Sequence, residues 1–348
     1  MVREGQMKRR HISLLKAIDL FAGAGGSTQG AMGAGFEVVA AIDHWPLAQK
    51  SYAKNFPRTN FYCESCEDID PRAFAIELGP IQLLMASPEC TSHTCAKGNA
   101  KGSEDSRNTA FQVVRFASEL KPRWIVVENV VHMRRWTRYR EWLEALRSLG
   151  YHLREQTLDA VGFGVPQARR RLFVLGDLDR LPPEIIVHKS RRIRTAQEII
   201  DGNGHFPFSL LNAPQRAKAT LERAGRAMSE LGEHRAFLLV YYGTDGGGGW
   251  QRLDRPLRTV TTLDRFAYVR RRQGNHELRM LQVPELKKAM GFPSKFRLEG
   301  SRRDQIKLLG NAVCPPVMRA IIGQLTNESY DDPVGRLASD SASAAQRL

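Results

Sequence analysis

A few short segments carry side chains able to do chemistry together. Asp19-Leu20-Phe21-Ala22-Gly23-Ala24-Gly25-Gly26 follows an apolar run and opens a helix-like stretch. Its glycines let a ligand approach the backbone and let the chain turn sharply. Asp43 ends the next apolar run, where an acid commonly takes a pair of ribose hydroxyls. The turn and the acid together point to a nucleoside-containing cofactor without saying which one. Ser87-Pro88-Glu89-Cys90 places a thiol at another strand end. A free cysteine titrates near about 8.5, so only a few per cent is thiolate at neutral pH. A nearby arginine or helix N-terminus would raise that fraction, and Glu89 would lower it. Taken alone, Cys90 reads as a small buried hydrophobe rather than a nucleophile. Glu128-Asn129-Val130 brings a carboxylate that can act as an acid or hold a ring nitrogen. Gln167-Ala168-Arg169-Arg170-Arg171 adds positive charge to the same cleft or contacts phosphate.

The elements that must position these residues alternate. Strands are expected at Leu14–Leu20, Phe36–Ile42, Ile81–Ala86, Trp124–Val127, Tyr151–Leu158 and Arg171–Leu175. Helices are expected at Ser27–Met32, Leu47–Asn55, Pro71–Leu78, Asn108–Leu120 and Arg138–Leu149. Such alternation argues for an α/β fold with a doubly wound, mainly parallel sheet. Ligands in these sheets bind beyond the carboxyl ends of the strands, where the residues singled out above cluster.

With 52 Lys+Arg against 37 Asp+Glu, the 348-residue chain carries a formal charge of +15, which calls for a polyanionic partner. Residues 131–194 hold fourteen of the basic residues against seven acids, with Trp136, Tyr139 and Trp142 interleaved. That composition favours nucleic acid. The longest apolar runs, such as Ile81–Ala86, fall well short of the roughly 20 residues a membrane span needs. Basic Met1–Arg10 is followed by no apolar core, so no secretory signal is expected. Cysteines at 63, 66, 90, 95 and 314 form no disulfide framework and suggest a reducing cytosol. Cys63-x-x-Cys66 lacks the second pair a structural zinc site needs, so no metal is expected.

Taken in order, these blocks resemble the cytosine-C5 DNA methyltransferases. The resemblance rests on Asp19–Gly26, Cys90 after a strand-end proline, Glu128-Asn129-Val130, Gln167-x-Arg169-x-Arg171, Arg255-Pro256-x-x-Thr259-Val260-Thr261 and Gly310-Asn311-Ala312-Val313. It covers about residues 14–325, excluding much of 177–254. It implies a Rossmann-like fold using S-adenosylmethionine. It also implies attack of the Cys90 thiolate on cytosine C6, so that C5 takes the methyl group. Glu128 would hold N3 and the exocyclic amine, and Arg171 with Arg169 would bind the base carbonyl or brace Cys90 and Glu128. Cofactor contacts would fall on Phe21, Gly23, Gly26, Asp43, His44, Asp68, Glu89 and Asn311. The loop Thr91–Arg107 would close over a base flipped out of a DNA duplex. Two positions depart from the family pattern. Pro88-Glu89-Cys90-Thr91 stands where Pro-Cys-Gln is usual, and His44 stands where a larger ring is common.

The resemblance further implies a catalytic domain of residues 11–176 plus 280–326 and a target-recognition domain of 177–279, while residues 327–348, polar and rich in small residues, read as a disordered tail. The region 177–254, rich in proline and glycine, reads as long loops. The expected partner is double-stranded DNA, with a cognate restriction endonuclease as genetic partner, a monomeric enzyme and a cytoplasmic, nucleoid-associated location. Two other readings stay open at this stage: a tRNA cytosine-C5 methyltransferase, and a catalytically silent DNA-binding regulator of the same fold.

Overall fold

A computed structural model describes residues 14–88, 109–187, 192–202, 205–242 and 249–327. Glu89, Cys90, His93, Cys95, the loop 91–107 and the tail beyond Asn327 lie outside the described residues.

The first half builds a seven-stranded sheet of β1 (Lys16–Leu20), β2 (Glu37–Ile42), β3 (Asn60–Tyr62), β4 (Leu83–Ala86), β5 (Trp124–Asn129), β6 (His152–Asp159) and β7 (Arg170–Asp177), in the spatial order β3-β2-β1-β4-β5-β7-β6. The first five strands are parallel, and β7 runs antiparallel to both β5 and β6. The antiparallel return follows from the connection: residues 160–169 contain no crossover helix that could bring the chain back parallel.

Side chains alternate across this sheet. Ile18, Leu20, Leu84, Ala86, Ile125, Val127 and Val174 point to one face, covered by α3 (Pro71–Leu78), α4 (Phe111–Leu120) and α5 (Tyr139–Ser148). Ala17, Leu83, Met85, Val126 and Leu175 point to the other, covered by α1 (Gly26–Gly33) and α2 (Pro46–Asn55). Helix starts follow local chemistry. Asp70, for example, caps α3 by accepting from the Arg72 N–H at 3.0 Å, and Pro71 occupies the first turn.

A second, antiparallel sheet is formed by β8 (Ser209–Leu210), β9 (Phe237–Val240), β10 (Trp250–Arg252), β11 (Phe266–Arg272) and β12 (Asn275–Met280), in the order β10-β9-β11-β12-β8. One face packs on α6 (Lys218–Leu231) through Ala224, Ala227, Phe237, Leu239 and Val269. The opposite face contributes Leu238, Val240 and Phe266 to the same core as the first sheet. Within 177–254 the described residues thus hold a helix and three strands where the turn-rich composition suggests long loops. That helix buries only the small side chains Thr220, Ala224 and Ala227, which give a weak apolar signal.

The chain then returns through α7 (Val283–Ala289), α8 (Arg302–Asn311) and α9 (Pro315–Leu325). Between α8 and α9 the backbone is extended at Ala312 and Cys314. The C-terminal pair closes onto α1 because α1 carries glycine at the contact. A Cβ on Gly26 would lie 2.2 Å from the Val313 carbonyl oxygen, and one on Gly30 would lie 2.6 Å from Met318 Cβ.

Candidate active site

A cavity of about 280 Å³ opens at the carboxyl ends of β1, β2, β4 and β5, with the end of α8 as its further wall. This is the point where strand order reverses between β1 and β4, the usual ligand crevice of a doubly wound sheet.

The floor is built from the glycine turn. Asp19, fully buried beneath it, accepts hydrogen bonds from Thr28 N–H (3.1 Å) and Thr28 Oγ1 (2.7 Å), and so ties β1 to α1. Burial pushes its carboxyl up to about 7. Asp43, at the end of β2, accepts from Gly23 N–H and from Trp45 N–H, each at 2.9 Å. The two bonds hold the carboxylate beside the turn, and its remaining lone pairs can accept a hydroxyl pair. Phe21 lines the cavity with φ at 56°, a left-handed conformation that costs a non-glycine residue about 1–3 kcal/mol.

The opposite wall comes from β5 and β7. Glu128, 6% exposed, pairs with Arg171, whose Nε lies 3.0 Å from Glu128 Oε1. Burial displaces the Glu128 carboxyl upward, while Arg171 and then Arg169 oppose the shift. Asn129 turns back into the chain. Its Nδ2 donates to the Pro88 carbonyl at 3.2 Å and its Oδ1 accepts from Val130 N–H at 2.8 Å, locking the end of β5 to the end of β4.

Gln167 and Arg169 act as staples. Gln167 Oε1 accepts from Val260 N–H at 2.8 Å, and Arg169 donates to the Val260 carbonyl at 2.9 Å. Arg169 also donates to the carbonyls of Gly310 (2.8 Å) and Ala312 (3.1 Å). Its guanidinium therefore joins residue 260 to residues 310–312, and its charge also favours the ionised form of Glu128. Replacement by methionine would strand three buried carbonyls, at about 1–3 kcal/mol each. Arg169→Met is expected to lower the melting temperature by several degrees, as read by differential scanning calorimetry. Lost activity with an unchanged melting temperature would instead mark Arg169 as a substrate-contacting group.

The structure brings Phe21, Gly23, Gly26, Asp43, His44, Glu128, Arg169, Arg171 and Asn311 to this one cavity. Asp68 is exposed in the turn after β3 and is not among the lining residues. Arg115 of α4 holds that turn through the carbonyls of Cys66 and Ile69. Trp45, Ser87 and Lys307 line the cavity without having been singled out for cofactor contact. Trp45 lies two residues beyond Asp43. Lys307 precedes Asn311 by one helical turn, a spacing that puts both on one helix face.

The cavity suits a nucleoside. Phe21, Ala22, Pro88, Leu308 and Val313 offer apolar surface, and Asp43 offers a carboxylate. A Cβ placed on Gly23 would find no atom within 4 Å, so backbone is open to a ligand there. Ser87 Oγ, buried at the rim of β4, has no hydrogen-bond partner among the described residues.

Comparison with known proteins decides between the cofactors such a pocket could take. Residues 15–327 match the profile of the C-5 cytosine-specific DNA methylases. The chain belongs to that family. It transfers a methyl group from S-adenosylmethionine to C5 of cytosine in DNA. Type II methyltransferase M.HgiDI of Herpetosiphon aurantiacus is 28% identical over 325 residues, covering 91% of this chain and 95% of that protein. Type II methyltransferase M.XorII of Xanthomonas oryzae pv. oryzae is 27% identical over 356 residues, covering 88% and 84%. Among solved structures, a Spodoptera frugiperda DNMT2 variant superposes with a TM-score of 0.68 at 18% identity, covering 90% of this chain and 100% of that one. At that identity the likeness speaks for the fold alone.

Proposed function

We propose that this enzyme methylates one cytosine within a specific site of double-stranded DNA, as the modification arm of a type II restriction system. The names of its relatives support the second part, since M.HgiDI and M.XorII are type II methyltransferases. The observation that carries the first is the Glu128–Arg171 pair facing the same cavity as Asp43 and the glycine turn. A base and a nucleoside cofactor can meet there.

In this reading Phe21, Gly23, Gly26, Asp43, His44 and Asn311 hold the cofactor, Asp43 taking the ribose hydroxyls. Asp68, from the turn after β3, and Glu89 add contacts. The cofactor supplies an electrophilic methyl group on a sulfonium. Cytosine C5 is a poor nucleophile until a thiolate adds to C6. Cys90 would form that C6–S bond, leaving the electron pair of the C5–C6 double bond at C5 to take the methyl group as the donor's carbon–sulfur bond breaks to a neutral thioether. Loss of the C5 proton then expels the thiolate. Glu128 holds N3 and the exocyclic amine and offsets charge on the ring, with Arg171 bracing it. The base reaches these groups only when extruded from the duplex, at a cost of a few kcal/mol.

Residues 11–176 and 280–326 form the catalytic domain, and residues 177–279 read the target from the second sheet and its loops. The basic stretch 131–194 supplies backbone contacts that weaken with salt. The enzyme acts as a monomer in the cytoplasm, on nucleoid DNA. Incubation with labelled cofactor and either duplex DNA or tRNA tests the substrate. Label is expected in DNA, with bisulfite sequencing showing one recurrent site. Label confined to tRNA would overturn the proposal, and so would cytosines methylated without a common sequence.

A further inference from the structure

We propose that Lys307 is a cofactor-binding residue, whose ammonium takes the α-carboxylate of S-adenosylmethionine. The proposal rests on assigning this cavity to the cofactor.

The charges lining the cavity lead to it by elimination. S-adenosylmethionine carries one anionic group, its carboxylate, beside an ammonium and a sulfonium. A site that binds it from water needs a cation or a set of donors for that group. The described cations on the cavity wall, histidine aside, are Arg169, Arg171 and Lys307. Arg169 donates to the carbonyls of Val260, Gly310 and Ala312. Arg171 is paired with Glu128 at 3.0 Å on the base side. Lys307 makes no ion pair among the described residues. Its nearest acid in sequence, Asp304, is engaged in capping α8, accepting from Ser301 Oγ at 2.7 Å and Ser301 N–H at 3.1 Å.

Lys307 is also held in place. Its Nζ lies 4.5 Å from the centroid of the Trp45 ring, a cation–π contact that restrains a side chain otherwise free to sweep through solvent. Trp45 in turn is anchored by its own N–H to Asp43 Oδ1, the carboxylate read here as the ribose acceptor. One chain of contacts therefore spaces the ammonium from the nucleoside end of the cavity. Asn311, a helical turn further on, lines the same wall. Trp45 keeps one ring face for Lys307, so it serves the cofactor as a support for the cation.

The test is binding of S-adenosylmethionine and of its decarboxylated analogue by calorimetry, without DNA, in the wild type and three variants. Lys307→Met is expected to weaken S-adenosylmethionine about tenfold, the scale of one charge-assisted hydrogen bond. It should leave the decarboxylated analogue within twofold, and Lys307→Arg should recover most of the loss. Asp43→Ala should weaken both ligands and so reports on the cavity itself. If Asp43→Ala weakens both while Lys307→Met moves neither, or moves both equally, the Lys307 assignment is wrong and the cavity assignment stands. If Asp43→Ala also moves neither, the cavity assignment fails too. A Lys307→Met variant with unchanged cofactor binding and a weaker, less salt-sensitive duplex interaction would make Lys307 a phosphate contact and overturn the proposal.

Discussion

Cys90→Ser is expected to abolish methyl transfer, with kcat lower by about 10⁴-fold or more, while DNA and cofactor binding stay measurable. The expectation rests on thiol chemistry. Serine keeps the shape of the side chain, but its hydroxyl ionises far above neutral pH and adds poorly to an unsaturated carbon. A cysteine holds a few per cent of thiolate at neutral pH and is intrinsically nucleophilic. The other described thiols cannot substitute. Burial pushes Cys66 up to about 12 and Cys314 up to about 11, and burial also raises Cys63. None of the three is poised to be a thiolate near pH 7. The chain two residues before Cys90 is fixed from both sides, by β4 and by the Asn129 amide on the Pro88 carbonyl. The decisive measurement pairs tritiated methyl transfer with a gel shift. A second readout is a denaturant-resistant adduct on duplexes carrying 5-fluorocytosine, where loss of the C5 substituent is blocked. The wild type should form it and Cys90→Ser should not. A serine variant that transfers methyl groups near the parent rate would remove Cys90 from the mechanism.

The half of the molecule that positions this chemistry is legible in the chain, for a physical reason. β1, β2, β4 and β5 are short, largely buried apolar runs, and each carries a polar residue at or just beyond its carboxyl end: Asp19, Asp43, Ser87 and Glu128. Burial sets the run, and the polar residue marks the end of the strand that faces the cavity. β3, three residues long and only half-buried, gives no such contrast. The reversed direction of β7 is encoded as a missing helix between residues 160 and 169, a weaker signal than any apolar run. Much of the second sheet is hidden because α6 packs through alanines and β8, β9 and β10 are only two to four residues long, while prolines and glycines punctuate the sequence around them. At the site, residue types were readable but directions were not. Arg169 and Arg171 stand two apart on what reads as one strand edge. One clamps backbone carbonyls and the other pairs with Glu128, a division set by where residues 260 and 310–312 happen to pack. Such contacts join positions about 90 to 140 apart in sequence, beyond the reach of local pattern.

Glu128→Gln is expected to lower kcat by about a hundred- to a thousand-fold while cofactor affinity stays within twofold. Glutamine fills the same volume and keeps a donor and an acceptor, so the base can still be held. What it loses is the ability to deliver a proton to the ring nitrogen as the ring becomes electron-rich. The pH dependence separates this from a packing effect. Burial raises the Glu128 carboxyl, with Arg171 and Arg169 pulling the other way. A raised carboxyl keeps its proton to higher pH, so the form that donates to a ring nitrogen is present below the raised pKa and is lost as pH climbs through it. Ionisation of the nucleophilic thiol runs in the opposite sense and supplies the ascending limb. The kcat/KM profile of the wild type should therefore be bell-shaped. In Glu128→Gln the descending limb assigned to the carboxyl should vanish while the ascending limb remains. Arg171→Met gives the reciprocal check. Removing the guanidinium 3.0 Å from Oε1 takes away the largest influence favouring the ionised carboxylate, so the descending limb should move to higher pH. Single-turnover methylation across pH on a duplex of the recovered site would show both effects. A glutamine variant that keeps the full rate and an unchanged descending limb would place the titrating group elsewhere and reduce Glu128 to a structural partner of Arg171.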